Sequence, residues 1–262
     1  MVDVVDTMSV RGHIAVFKGK TALLPGQVVM SSMPLATRLL GDNHTGRCSV
    51  CMLRCPALFH CSQCKIVKYC SNICQKIDWK AGHKMECKHY EGWIERLGAG
   101  SQDLDDVCLA TRVISQLKKP EFEYCKKLTR SDCGWDGGAG DELGLYDAED
   151  SYPLPILCGR QHWSQAAEAD ITPTSADVER RSAIAGEVAL ATGVDEEEVM
   201  TCMRRFSANN FGIFDDMLSP VGAGVYPWAA VLNHSCTPNC LIRYLYGDKV
   251  SGGRHRYPTL QI

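Results

Sequence analysis

The sequence lacks an apolar run of the length that a membrane-spanning helix needs. Its first residues also lack the positive charge of a secretory signal peptide, because Asp3 and Asp6 stand in that segment. Neither sign of charge is in large excess, since the formal net charge is -3 at pH 7. These absences argue against a membrane span and a secretory leader, and they predict an intracellular protein.

Cysteine, in contrast, is abundant: the 262 residues include 15 cysteines. Without a secretory signal these thiols are expected in a reducing compartment, where they stay available to bind metal. A chain of this length can bury a core and is expected to hold two modules, one of them too small to fold without metal. Eight cysteines share no common period, and most of them are expected to be small buried apolar residues: Cys55, Cys108, Cys125, Cys133, Cys158, Cys202, Cys236 and Cys240.

The remaining cysteines and one histidine form four closely spaced pairs. They are Cys48 and Cys51, Cys61 and Cys64, Cys70 and Cys74, and His83 and Cys87. Two ligands separated by two or three residues can turn back onto one ion, and a distant pair completes a tetrahedron. Thiolate with one imidazole suits zinc, so the spacing predicts two structural zinc sites.

Spacing alone leaves the grouping of the four pairs open between a sequential and an interleaved arrangement. A metal-free alternative, with disulfides or buried thiols, is disfavoured by the regular pairing. Cys55, His44, His60 and His89 lie near the pairs but outside their spacing, and we expect them to be packing or surface residues.

The segment around these pairs is modestly basic. From residue 47 to 90 it has eight basic residues against two acidic ones, Asp78 and Glu86. Charge of this kind permits a weak contact with DNA, although excess lysine on a small surface is more often simply solvated.

Coarse patterns elsewhere predict strands at the start and helices in the middle. Residues 1–47 are expected to form a β-hairpin from the apolar stretches 14–17 and 23–30, with a type II turn at Pro25-Gly26. A glycine-rich acidic stretch, 131–150, is expected to be a loop.

Three helices are expected after the cysteine pairs. The first runs over 101–119 with Ser101 as its N-cap and Pro120 after its end. The second runs from 176 to about 191 with Ser175 as its cap, and the third begins at Asp195, where Asp195 and Glu198 have capping-box spacing.

A second constellation begins at residue 209 and is dominated by polar groups next to apolar runs. It contains Asn209-Asn210-Phe211-Gly212-Ile213, then Gly222-x-Gly224-x-Tyr226-Pro227, then Asn233-His234-Ser235-Cys236 and Pro238-Asn239-Cys240. Amide and imidazole groups can bind a polar ligand without carrying a fixed charge. This arrangement resembles the SET domain of the SET-and-MYND (SMYD) lysine methyltransferases, and the order of the metal-ligand pairs resembles the MYND zinc finger.

The resemblance implies an α+β fold, in which a split, β-rich SET domain with a helical insert carries an inserted MYND double-zinc finger. The implied boundaries are 1–47 for the first part of the SET domain, 48–87 for the finger, 88–208 for the helical insert and 209–262 for the core SET segment. The implied zinc grouping is interleaved: Cys48, Cys51, Cys70 and Cys74 hold one ion, and Cys61, Cys64, His83 and Cys87 hold the other.

The resemblance also implies S-adenosylmethionine as methyl donor and a lysine of a histone or another protein as acceptor. Asn209, Asn233 and His234 match residues that contact the cofactor, and Phe211 matches an aromatic residue of the substrate pocket. MYND fingers bind proline-rich peptides, so a non-catalytic interaction module is the alternative function.

Three departures from the family pattern lead to further expectations. The stretch Arg11–Ala15 has one glycine where the family has Gly-x-Gly. The family's catalytic tyrosine and post-SET zinc segment have no match before Ile262, and Tyr244, Tyr246 and Tyr257 stand in the wrong context to replace that tyrosine. We therefore expect a truncated or fragmentary chain without a catalytic residue of its own, no metal at Cys236, and a frayed tail over 251–262.

Overall fold

A computed structural model describes most of the chain. The described residues are 2–5, 14–17, 24–28, 31–44, 46–119, 174–207, 210–226, 229, 236–246 and 257–262. Residues 11–13, where the family's second glycine is missing, and the predicted loop at 131–150 lie outside the described residues. The proposed cofactor-contacting residues Asn209, Asn233 and His234 lie outside them as well.

Strands from before and after the cysteine pairs lie in the same sheets. One sheet has the order β4-β8-β7, formed by Ala36–Leu39, Pro220–Val225 and Asn210–Phe214. The other has the order β3-β10-β9, formed by Ser31–Ser32, Thr259–Gln261 and Arg243–Leu245. Every neighbouring pair is antiparallel. The segment with the cysteines is thus inserted into a split α+β domain, as predicted.

The N-terminal hairpin differs from the predicted one. Strand β2 (Ile14–Phe17) pairs with β1 (Val2–Val5) instead of with the stretch 23–30. The described part of that stretch contains the predicted turn: Gln27 N donates to Leu24 O at 3.1 Å, and Gly26 has a φ of 86°. A positive φ at the third turn position defines a type II turn. The described residues 24–28 therefore form the predicted turn and not a strand, and the rest of the stretch 23–30 lies outside the described residues.

The inserted segment is built from short elements. They are β5 (Phe59–His60), β6 (Lys68–Tyr69), α1 (Asn72–Asp78), a π-helical turn (Trp79–His83) and α2 (Lys84–Glu86). In the part of the chain that the structure describes, four longer helices follow: α3 (Tyr90–Leu97), α4 (Gln102–Leu117), α5 (Ser175–Thr192) and α6 (Glu196–Ser207).

The helix N-caps are side chains that accept hydrogen bonds from backbone amides. One cap lies one residue before its predicted position. Ser101 caps α4 as predicted, because its hydroxyl accepts from Leu104 N. Helix α5 is capped by Thr174 and not by Ser175, since Thr174 and Asp177 form a reciprocal capping box. Before α6, the Asp195 carboxylate accepts from the Glu197 amide.

Helix α4 packs against β4, the π-helical turn and α5. Its sequence predicted one apolar face, but Ala110, Thr111 and Arg112 on other faces are buried as well. A helix that is covered on several sides must bury polar side chains too, and these need partners. The partners of Arg112 bring the metal-binding segment and the sheet together.

The expected frayed tail is wrong for residues 257–262. Strand β10 pairs with both β9 and β3, and Leu260 is completely buried. The rest of that expectation, 251–256, lies outside the described residues. Among the residues that the structure describes, no helix is both long enough and apolar enough to cross a membrane.

Candidate metal centres and the network behind them

The first pair of each predicted zinc site lies on a tight turn of the same construction. Met52 N donates to Cys48 O at 2.9 Å, and Lys65 N donates to Cys61 O at 3.0 Å. Met52 and Lys65 have φ values of 56° and 59°, the left-handed region that side chains seldom adopt. The chain therefore doubles back after the second cysteine, so that the two thiols of a pair point to one place.

The second pair of each site is held by helical structure. Cys70 precedes α1 and Cys74 lies in its first turn, where Ser71 accepts from Cys74 N at 3.2 Å. His83 ends the π-helical turn, and Cys87 follows one turn later with its amide bonded to His83 O at 2.8 Å. One helical turn brings both side chains to the same face.

The eight residues meet as two separate clusters. Cys48, Cys51, Cys70 and Cys74 form the first cluster, and Cys61, Cys64, His83 and Cys87 form the second. The ligand atoms within each cluster lie within 4.8 Å of one another. This is the interleaved arrangement implied by the family resemblance, and it is not the sequential one.

Distances within the clusters fit zinc. Sulfurs bound at ~2.3 Å to a tetrahedral zinc lie ~3.8 Å apart, and an imidazole nitrogen at ~2.1 Å lies ~3.6 Å from each of them. Cys51 and Cys70 Sγ are 3.7 Å apart, Cys61 and Cys87 Sγ are 3.8 Å apart, and Cys64 Sγ is 3.6 Å from His83 Nε2. Because a disulfide has an S–S distance of ~2.05 Å, the thiols are spaced for a shared ion and not for each other. Both donor sets therefore fit structural zinc.

The neighbouring residues that were set aside as ligands lie outside both clusters where they are described. Cys55 Sγ is near Leu53 O, and the His60 side chain is exposed. The His89 ring stacks on Trp93 with centroids 5.7 Å apart. The side chain of His44 lies outside the described residues.

Behind the second cluster lies a buried network of charge. Glu86 Oε2 is 3.3 Å from His83 Nδ1, while Arg112 donates to Glu86 Oε1 at 2.7 Å and to Glu86 Oε2 at 3.0 Å. The same guanidinium lies 2.8 Å from Asp78 Oδ1, and Tyr69 donates its hydroxyl proton to Asp78 Oδ2 at 2.8 Å. Burial, the largest single effect, opposes the ionisation of Glu86, but the attraction and hydrogen bonds of Arg112 and His83 together outweigh it and lower the pKa of Glu86.

Sequence reasoning missed this network. Asp78 and Glu86 were counted only as charges of the segment, although both are completely buried. One signal was present: Glu86 stands three residues after His83, which places the two side chains on one face of a helix. Arg112 carried no such signal, because its partners are 26 or more residues away along the chain.

The second constellation is only partly described. Phe211 lies on β7, and its ring meets Tyr226 edge-on with centroids 6.0 Å apart. Tyr244 and Tyr246 donate their hydroxyl protons to the carbonyls of Gly212 and Phe214. The hydroxyls of Tyr244 in β9 and of Tyr246 directly after it therefore hold this part of the chain against β7. Their role is structural.

The other tyrosine and the later cysteines have different surroundings. Tyr257 is half-buried, and burial raises the pKa of its hydroxyl above the usual value. Of the cysteines expected to be mostly buried, Cys108 is buried, Cys55 and Cys202 are half-buried, and Cys236 and Cys240 are exposed.

Comparison with known proteins agrees with the geometry of the clusters. The model of the MYND finger family matches residues 48–87. These bounds coincide with the first and last of the eight metal ligands.

Similarity to curated proteins extends far beyond the finger. The chain is 28% identical over 234 residues to histone-lysine N-methyltransferase SMYD3 of Homo sapiens, covering 85% of this chain and 45% of that protein. It is 26% identical over 218 residues to histone-lysine N-methyltransferase ASHR1 of Arabidopsis thaliana, covering 83% and 40%. It is 26% identical over 239 residues to N-lysine methyltransferase SMYD2 of Sus scrofa, covering 87% and 46%.

The chain thus spans less than half the length of the curated relatives that it matches. Within that span it has the MYND finger, the finger's insertion between strands of one sheet, and similarity along most of its own length. By these features the chain contains a MYND finger and is similar to the SET-and-MYND lysine methyltransferases over most of its own length.

Proposed function

We propose that this chain carries the cofactor-binding part of a protein-lysine methyltransferase that uses S-adenosylmethionine and acts on a histone or another protein. The observation that carries the proposal is the similarity to lysine methyltransferases over 85% of the chain. Asn209, Asn233 and His234 are the residues proposed to contact the cofactor. Bound there, S-adenosylmethionine would supply the methyl group as an electrophile.

The chain's own contribution to this chemistry is positioning. Methyl transfer to an amine needs a linear approach and a lysine without its proton, so alignment and an apolar pocket matter more than a covalent nucleophile. Phe211 is proposed to form part of that pocket, and its packing against Tyr226 supports the proposal because it fixes the ring on β7. An apolar wall disfavours the charged form of a lysine and lowers its pKa.

No catalytic residue is assigned. The hydroxyls of Tyr244 and Tyr246 are engaged with backbone carbonyls of β7. Within the described residues they therefore support the fold, and the proposal places only cofactor binding and pocket formation on this chain.

The division of the chain is part of the same proposal. We infer that residues 1–47 and 209–262 are parts of one SET domain, with the finger at 48–87 and a helical insert at 88–208. The pairing of β4 with β8 and of β3 with β10 supports this division. Residues on either side of the finger complete the same sheets.

Calorimetry tests the proposal. The zinc-loaded chain is expected to bind S-adenosylmethionine, and Asn233→Ala is expected to weaken binding at least about tenfold because the proposed hydrogen bond to the ligand is lost. His60→Ala is the control, since His60 is exposed on the finger. A zinc-loaded chain that neither binds the cofactor nor transfers a labelled methyl group to histones or mixed proteins would remove the proposal.

A second candidate function, the binding of proline-rich peptides by the finger, is favoured by exposed apolar side chains. Leu53, Phe59, Ile73 and Trp79 are 41%, 38%, 54% and 36% exposed. Proline-rich segments have a preformed extended conformation and bind to apolar and aromatic surfaces at a low ordering cost.

Substitution at this surface tests the second candidate. Ile73→Ser in the whole chain should weaken the binding of a proline-rich peptide and leave both zinc ions in place, because Ile73 is not a ligand. The control is Leu190→Ser, which changes an even more exposed apolar side chain on α5, outside the finger. If both variants bind the peptide as the unchanged chain does, the finger surface is not the binding site.

A further inference from the structure

Helix α4 carries one arginine whose side chain lies between the second metal cluster and the sheet. Arg112 is only 2% exposed. Its Nε and Nη2 atoms donate to Glu86, and Nη1 donates to the carbonyl of Thr37 at 3.0 Å. Thr37 lies in β4, so this guanidinium contacts both the finger and a strand of the split domain.

The contact reaches a metal ligand through one carboxylate. Glu86 bonds Arg112 on one side and approaches His83 Nδ1 at 3.3 Å on the other. His83 Nε2, the opposite ring nitrogen, faces Cys64 in the second cluster. A carboxylate on the outer nitrogen of a ligating histidine fixes the tautomer and the ring orientation that the metal needs.

Close packing keeps this arrangement in one geometry. A Cβ atom at Gly82 would lie 2.8 Å from Arg112 Cγ, so the turn before His83 rests directly on the arginine side chain. One turn along α4, Gln116 Nε2 donates to Ala81 O at 2.8 Å. Arg112 and Gln116 of α4 thus both contact the π-helical turn.

We propose that Arg112 couples zinc binding at the second cluster to the order of strand β4. The guanidinium holds Glu86, Glu86 holds the His83 ring, and the same guanidinium holds the Thr37 carbonyl. The proposal does not depend on the methyl transfer proposed above. It concerns the residues around the metal and the strand, and it is tested by metal affinity and backbone protection.

Coupling of this kind is reciprocal. If zinc at the second cluster favours the ordered strand, the ordered strand must favour zinc by the same factor. Loss of a partner behind a metal ligand typically weakens metal binding about 10- to 100-fold. The first cluster should be unaffected, because its ligands are not reached through Glu86.

Zinc competition measures the predicted loss. Arg112→Lys keeps the positive charge but cannot bond both oxygens of Glu86 and the Thr37 carbonyl together. We expect zinc dissociation at the second cluster to rise about 10-fold or more, with the first cluster unchanged. Cobalt substitution distinguishes the clusters, since an ion bound by three thiolates and an imidazole has a different absorption spectrum from one bound by four thiolates.

Arg47 provides a matched control. It is buried, it also joins the finger to the sheet region, and it donates to Met52 O at 2.9 Å and to Asp215 at 2.6 Å. Its contacts lie beside the first cluster and not the second. Arg47→Lys should therefore leave zinc affinity at the second cluster unchanged, and an equal loss in both variants would overturn the proposal.

A second variant keeps the test valid if Arg112→Lys fails to fold. Glu86→Gln retains an oxygen that accepts from His83 Nδ1, whereas Glu86→Ala does not. The proposal expects a smaller loss of zinc affinity for Glu86→Gln than for Glu86→Ala. Equal losses would show that the contact between Glu86 and His83 does not position the ligand.

Hydrogen exchange measures the other end of the coupling. The amides of Leu35 and Leu40 donate to Val225 O and Val221 O at the two ends of β4. Cys64→Ser, which removes a ligand of the second cluster, should speed exchange at these amides. Adding Arg112→Lys should cause little further increase, because both changes act through one connection; fully additive increases would contradict the proposal.

Discussion

At the scale of single residues, the described interior contains charged side chains that are paired with one another. Arg38 and Arg112 are both buried, and they pair with Asp105 and with Asp78 and Glu86. Removing one member of a buried pair leaves the other charge without compensation, which costs more than the pair contributes when it is intact. Such residues are therefore sensitive positions even though none of them is a metal ligand.

Asp105→Asn tests this sensitivity. The change weakens the bonds that the Asp105 carboxylate accepts from Arg38 Nε and Gly41 N. We expect the free energy of unfolding to fall by about 3 kcal/mol. Urea denaturation measures it.

The control for Asp105→Asn is an ion pair at the surface. Asp103 pairs with Arg180, and both side chains are 38% exposed. Asp103→Asn should cost no more than about 1 kcal/mol. Similar costs for the two variants would show that burial is not what makes the inner pair important.

At Gly222 in β8, atoms of strand β4 and of the finger leave no room for a side chain. A Cβ atom there would lie 2.7 Å from Arg38 O and 2.9 Å from Met52 Sδ. Because the backbone oxygen cannot move away, Gly222→Ala should lower stability by about 1 to 3 kcal/mol in urea denaturation.

Gly186 on α5 offers the opposite case. The nearest atom to an added Cβ is Glu196 Oε2 at 4.0 Å. Alanine is favoured over glycine within a helix, so Gly186→Ala should raise stability by up to about 1 kcal/mol. If Gly222→Ala were equally well tolerated, the close packing of finger and sheet described above would be wrong.

At the scale of elements, the sequence predicted what depends on neighbouring residues. The cap at Ser101, the turn at Pro25-Gly26 and the extent of α4 follow from side chains within a few positions. Strand partners did not follow, because β2 could pair with either flanking stretch and the choice depends on the rest of the fold. Strand β10 was missed for the same reason, because Leu260 is buried by contacts with strands distant in the chain.

The helix cap itself gives an element-scale prediction. Ser101→Ala removes the acceptor for Leu104 N at the start of α4, and should lower the free energy of unfolding by about 1 kcal/mol. Ser115→Ala is the matched control, because Ser115 donates to Thr111 O inside the same helix and alanine suits that position. A cost for Ser115→Ala as large as that for Ser101→Ala would argue against a specific capping contribution.

At the scale of the whole molecule, the spacing predicted the four ligand pairs. The assignment of the pairs to two clusters needed either the family resemblance or the structure. The residues that connect the clusters to the remaining fold could not be predicted from the sequence. Arg112 and Glu86 are distant in the chain, and only folding brings them to 2.7 Å. Asn209, Asn233 and His234 stay predictions.

Metal removal should affect more than the finger. The second cluster is joined through Glu86 and Arg112 to β4, and its ligands belong to the same apolar core as Val107 and Val113 of α4. Chelation of zinc should therefore unfold the finger and expose part of that core. Near-ultraviolet circular dichroism and the binding of a hydrophobic dye measure the change, and the addition of zinc in reducing buffer should reverse it.

The most direct test is the intact mass of the chain under native conditions. We predict two zinc ions per chain, and one for Cys74→Ser, which removes a ligand of the first cluster only. A metal-free chain whose mass shows the loss of hydrogen that accompanies disulfide formation would contradict the assignment of the eight ligands to two zinc sites.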